Sequence, residues 1–130
     1  MENKGVQILN GLTISFIDVM DNTDGDDKIV ITTECGKKFI FYHQQDCCER
    51  VSIYDSKGDL HSLVGKKLIS VEKSELENED PDDIVNYDEY RDSFTWTTIT
   101  FKTTDETVIS RWIGESNGYY SENVDFEELT

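Results

Sequence analysis

Basic residues are scarce in this chain: 12 against 28 acidic ones, for a formal net charge of −16. Binding a nucleic-acid duplex or an anionic membrane surface takes Lys and Arg to displace counterions from phosphates. A chain this acidic is repelled by both at long range. The expectation is no direct nucleic-acid contact, no membrane contact, and attraction to a basic protein surface. Long hydrophobic runs are also missing. Nothing approaches the roughly 20 apolar residues of a membrane span, and Met1-Glu2-Asn3-Lys4-Gly5 leads into too short an apolar run for a signal peptide. The three cysteines, Cys35, Cys47 and Cys48, are an odd set with two adjacent, a poor disulfide framework. A reducing cytoplasm fits them. Glycine is too sparse for a phosphate-cradling loop, and neither a dinucleotide fingerprint nor a Ser/His/Asp signature is spelled. The acidic turn from Asp21 to Asp27 misses the EF-hand pattern, since Gly25 in the glycine place would make Met20 the first ligand and Ile31 the last. No cofactor is expected.

What is present reads as a single acidic domain over residues 1–130, a length that buries enough surface to fold without staples. Apolar residues recur with period two, so the fold class is mainly β: antiparallel sheets forming a sandwich, a curved sheet or an open barrel, with one short helix. Strands are expected at Val6 to Ile8, Thr13 to Val19, Lys28 to Thr33, Lys38 to His43, Val51 to Tyr54 and Lys67 to Glu72. Asp24-Gly25 and Glu34 to Lys37 are turn signals. Phe94 to Phe101 and Val108 to Ile113 make a long hairpin closed at Thr104 to Glu106. Asn117-Gly118 is expected to close a further hairpin onto Tyr119 to Val124. Asp59 is placed to cap a short helix through Val64, which Gly65 stops. The one composition break, residues 75–92, sets nine carboxylates against Arg91 and holds the lone proline, Pro81. It reads as a mobile acidic loop with a helical turn near Ile84 to Tyr90.

Two segments carry residue types that packing does not require. The first is Phe41-Tyr42-His43-Gln44-Gln45-Asp46-Cys47-Cys48-Glu49. His43, Asp46, Cys47 and Glu49 are all metal-binding types, and His43 beside Cys47 or Cys48 is the pairing of an activated thiol. Three facts weigh against such chemistry. Adjacent cysteines in an extended chain point to opposite sides, the two-residue spacing of zinc cysteines is absent, and Asp46 and Glu49 raise a thiol pKa. The cluster is therefore expected to shape the fold or a binding surface, with a metal- or thiol-dependent enzyme as the alternative. The second segment is Arg111-Trp112-Ile113-Gly114-Glu115-Ser116-Asn117-Gly118-Tyr119-Tyr120-Ser121-Glu122. Arg111 is expected to pair with Glu49, Glu115 or Glu122, and Trp112, Tyr119 and Tyr120 to line a groove. Together with Glu75, Glu77, Glu79, Asp80, Asp82, Asp83, Asp88 and Glu89 of the acidic loop, they make the candidate binding surface.

The spelling of these two segments resembles a family of small proteins found mainly in bacteriophages and prophages, a domain of unknown function. The resemblance spans roughly residues 28 to 126 and implies an origin, with no reaction attached. Small acidic phage proteins often inhibit host machinery, including CRISPR nucleases. By analogy the chain is expected to be a non-enzymatic, nucleic-acid-mimicking binding protein acting in the bacterial host cytoplasm.

Overall fold

The computed structural model describes residues 5–21, 27–84 and 92–129. Two antiparallel four-stranded sheets pack face to face. One has the order β1-β2-β3-β8, from Ile14–Met20, Lys28–Thr33, Lys38–Tyr42 and Asp125–Leu129. The other has the order β4-β7-β6-β5, from Arg50–Lys57, Thr107–Ser116, Ser93–Lys102 and Ser70–Glu77. The mainly β antiparallel class is the one the period-two pattern predicts, and of its three forms the sandwich is realised.

The pleat explains the core. Alternate residues of a strand share a face, so Ile29 and Ile31 of β2 and Phe39 and Phe41 of β3 point the same way and are buried. They meet Val51, Val71, Ile99, Phe101, Val108 and Trp112 of the opposite sheet in one cluster. Phe41 and Phe101 bridge the layers edge to face at 5.9 Å. In β1 the buried residues are Ile14 and Ile17, three apart instead of two or four. A register shift between Ile14 and Phe16 turns the chain by the missing step.

Three expectations are corrected. Val6–Leu9 is a 3-10 turn rather than a strand, entered through Gly5 at φ +59°. It buries Val6 and Leu9 at the i, i+3 spacing of that helix. β5 runs on to Glu77, so Glu75 and Glu77 belong to a strand. Residues 117–124 do not pair back onto β7; the last strand, β8, pairs with β3 instead. The expected short helix is a 3-10 turn at Leu60–Leu63, with the Asp59 carboxylate accepting from the His61 N–H. The hairpin tip at Asp24-Gly25 and the turn near Ile84 to Tyr90 fall largely outside the described residues. Among those described, no helix is long and apolar enough to cross a membrane.

β7 lies between β4 and β6, and most of it is buried on both faces. Trp112 faces the inner core, while Arg111 and Ile113 face outward and are still buried. What lies over that outer face is part of the acidic segment. Asn78 adopts the left-handed conformation at φ 57°, which asparagine tolerates better than most residues. There it bonds Phe94 through both its N–H and its Oδ1 and turns the chain off the end of β5. The strap that follows, residues 78–84, is tied to the sheet by Asp80 and Asp83.

Candidate functional site

The His43 cluster is a closed hydrogen-bond system. His43 ends β3, and its Nδ1 lies 2.7 Å from the Asn123 carbonyl. Its Nε2 lies 2.7 Å from Glu49 Oε2. Both ring nitrogens therefore face oxygen atoms. The second carboxylate contact is with the loop itself: the Asp46 N–H donates to Glu49 Oε2 at 2.8 Å and the Cys47 N–H to Oε1 at 2.9 Å. Burial of Glu49 pushes its pKa up, but the Cys47 N–H, His43 and the Asp46 N–H outweigh that and hold it down to about 2. Gln45 completes the loop by donating to the Glu49 carbonyl at 2.6 Å.

This arrangement bonds the polar groups of the segment to one another. Glu49 is a buried anchor for a loop whose own residues, Gln44 to Cys48, are exposed. Cys47 and Cys48 are joined as a vicinal disulfide, leaving Cys35 as the free cysteine. Against the expectation of a poor disulfide framework, the adjacent pair closes on itself and neither thiol is a nucleophile in this state. The alternative metal set of His43, Asp46, Cys47 and Glu49 is not brought together, and no group of three or more His, Cys, Asp or Glu side chains suited to a metal occurs among the described residues.

The second segment meets the first. Arg50 pairs with Glu115 and Val51 with Gly114, so the loop from His43 runs directly into the strand beside β7. Beyond the turn at Gly118, the chain folds back and buries Glu122, which accepts from Thr95 Oγ1 at 2.7 Å and Ser116 Oγ at 2.5 Å. The Glu122 backbone passes over Gly114 so closely that a Cβ there would lie 2.6 Å from the Glu122 carbonyl oxygen. A glycine inside a strand often marks such an approach. Gly114→Ala is therefore expected to lower stability by about 1–2 kcal/mol, as forced overpacking does, and to shift residues 116–124. A drop in the denaturant midpoint with an unchanged slope would register it.

Arg111 stands on the outer face and is fully engaged. Its Nε and Nη2 donate to the two oxygens of Asp55 at 2.7 and 2.6 Å. Its Nη1 donates to Asp83 at 2.8 and 2.9 Å, and the guanidinium lies 5.6 Å from the Tyr54 ring centre. The partners expected from sequence, Glu49, Glu115 and Glu122, are not the ones Arg111 takes. The Asp55 carboxylate pushes the Arg111 pKa up, and Arg111 and Lys57 together hold that of Asp83 down. Lys57 Nζ is 3.2 Å from Asp83. Beside this clamp, Trp96 donates its indole N–H to Asp80 at 2.9 Å and meets Tyr54 edge to face at 4.9 Å.

The expected aromatic groove does not form as drawn. Trp112 is 0% exposed and lies in the core, donating to Ser110 Oγ. Tyr119 is 87% exposed and Tyr120 is half-buried. Of the acidic-loop candidates, Asp80 and Asp83 serve the strap, while Glu75, Glu77, Glu79 and Asp82 are exposed. Asp88 and Glu89 lie outside the described residues. Sequence reasoning passed over Asp27, Asp55, Trp96 and Asn123. Asp27 is buried and accepts the Ile53 N–H at 2.7 Å, next to the register shift of β4. An acid directly before a β-branched run was the available signal for Asp27. Asn123 acts through its backbone carbonyl and gave none.

No match was found among curated proteins or among solved structures. The family described as a domain of unknown function (DUF7448) matches residues 7–126. That match covers both segments and all eight strands except the last residues of β8, so the chain belongs to the DUF7448 family.

Proposed function

We propose that this protein is a non-enzymatic binding protein of bacteriophage or prophage origin. It docks carboxylates onto a basic, nucleic-acid-binding site of a host protein in the bacterial cytoplasm. A defence nuclease such as a CRISPR effector is the partner class that fits best. The supporting observation is the division of labour among the polar groups. The residues that resemble a catalytic set, His43, Glu49 and Arg111, are bonded internally. The exposed surface keeps Glu72, Glu75, Glu77, Glu79, Asp82, Glu127 and Glu128 in a chain of net charge −16. Carboxylates presented in this way imitate phosphate oxygens to a Lys/Arg surface and speed encounter with it. The phage origin rests on the spelling of the two segments.

Immobilised protein exposed to a bacterial lysate tests this reading. At low salt it is expected to retain a nucleic-acid-binding protein, and either raised salt or added duplex DNA is expected to displace that protein. Retention of no host protein at either salt, or retention indifferent to both salt and DNA, would sink it.

A further inference from the structure

The edge strands of the two sheets line one groove together with the Val6–Leu9 turn, and Asn10 just beyond that turn bonds the β5 edge through the Val71 N–H. β8 ends its sheet and β5 ends the other, so each is paired on one side only. A cavity of about 620 Å³ lies there, with Tyr42, Gln44, Lys73, Asn123, Asp125 and Glu127 among its walls. Lys73 is the one cation among the lining residues, and it is engaged. Its Nζ donates to the Val124 carbonyl at 2.6 Å and lies 3.8 Å from Glu75. That bond links β5 to the start of β8, so the groove has a strand on each rim. Both strands carry acids: Asp125, Glu127 and Glu128 on β8, and Glu72, Glu75 and Glu77 on β5.

A strand edge offers backbone N–H and C=O groups at regular spacing and is a template for another chain. Five residues of β8 present about 17 Å of it, at roughly 3.4 Å per residue. An open groove bordered by such an edge suits an extended chain, and its acidic rims select a basic one.

We infer that this groove takes an extended Lys- or Arg-rich segment of a partner protein, added as a strand along β8. Backbone bonds to β8 set its register. Basic side chains at every second position share a face and meet Asp125 and Glu127, which share one face of β8, with Glu75 across the groove. The inference rests on the acidic-docking reading and gives that docking a place and a partner conformation.

A short labelled peptide of alternating Lys and Thr, titrated into the full chain at low salt, tests it. Saturable binding is expected, with slowed amide exchange in residues 125–129. Glu127→Lys is expected to weaken binding about tenfold, a loss of about 1.4 kcal/mol, whereas Asp82→Lys on the strap leaves it within about twofold. The wild-type exchange map needs no variant and stands even if a substitution disturbs folding. Protection confined to the strap, or weakening by Asp82→Lys alone, overturns the groove and leaves acidic docking intact. Absence of saturable binding also overturns the groove, and the lysate experiment then judges acidic docking separately.

Discussion

His43→Ala is expected to lower folding stability by about 2–3 kcal/mol, the cost of leaving a buried carboxylate and a backbone carbonyl without one of their hydrogen-bond partners. The pair itself need not be worth that much. The loss arises because Glu49 stays buried without its side-chain hydrogen-bond partner. The same substitution frees the Asn123 carbonyl, so the tie between β3 and the chain entering β8 goes with it. Urea unfolding monitored by tryptophan fluorescence reads the effect as a lower midpoint. A change below about 1 kcal/mol would show that the pair does not hold the fold, since surface substitutions fall in that range.

The acid side of the same pair has a definite pH signature. Glu49 has its folded pKa held down to about 2, from an ordinary value of 4.5. A depressed carboxyl contributes stability that is fully present above the unfolded pKa and is lost as pH falls toward the folded one. Asp83, also depressed, acts in the same direction. Stability is therefore expected to fall from about pH 5 toward pH 2. Glu49→Gln is expected to be less stable at neutral pH and to show a shallower fall in acid. An unchanged acid slope in that variant would remove Glu49 from the account.

Arg111→Ala is the second large effect, expected at about 2–3 kcal/mol. Breaking a fully buried pair would cost more, but Asp55 and Asp83 are 36% and 47% exposed, and water screens what is lost. The more telling outcome is local. Without the guanidinium, Asp83 keeps only Lys57 among the cations described beside it, and the strap is held mainly by Asp80 on Trp96. Trp96 then becomes accessible while Trp112, in the core, does not. Acrylamide quenching is expected to rise from one protected class of tryptophan to two. Arg111→Lys is expected to behave like the alanine variant, because an ammonium cannot reproduce the forked bonds to Asp55. Full rescue by lysine would mean that charge alone holds the strap.

The sandwich was legible in the sequence because its strands follow simple rules. Inward residues alternate in β2 and β3, and the long hairpin of β6 and β7 closes from Lys102 to Thr107 around the turn residues that announce it. Misreadings occurred where a local signal had two outcomes. Val6 to Leu9 offers apolar residues at both two- and three-residue spacings, and packing chose the latter. Asn117-Gly118 does turn the chain, with Gly118 at φ +97°. Yet the close approach at Gly114 and the burial of Glu122 draw the chain off as an irregular segment. That the His43 segment carries polar groups which strand packing does not require was also readable, from its residue types. Its partners were not. Asn123 is 80 residues from His43, and Asp55 is 56 from Arg111. Among so many carboxylates, nothing local distinguishes the one that a guanidinium will meet.

Whether the catalytic-looking residues hold a loop in place is reported most directly by the amides of Asp46 and Cys47. Both residues are exposed and outside any strand, so their N–H groups would exchange rapidly if Glu49 did not accept from them. Native-state hydrogen exchange is expected to show these two amides strongly protected in the wild-type protein and open in Glu49→Gln. Rapid exchange of both in the wild type would contradict the clamp, and would return His43 and Glu49 to the role of free functional groups.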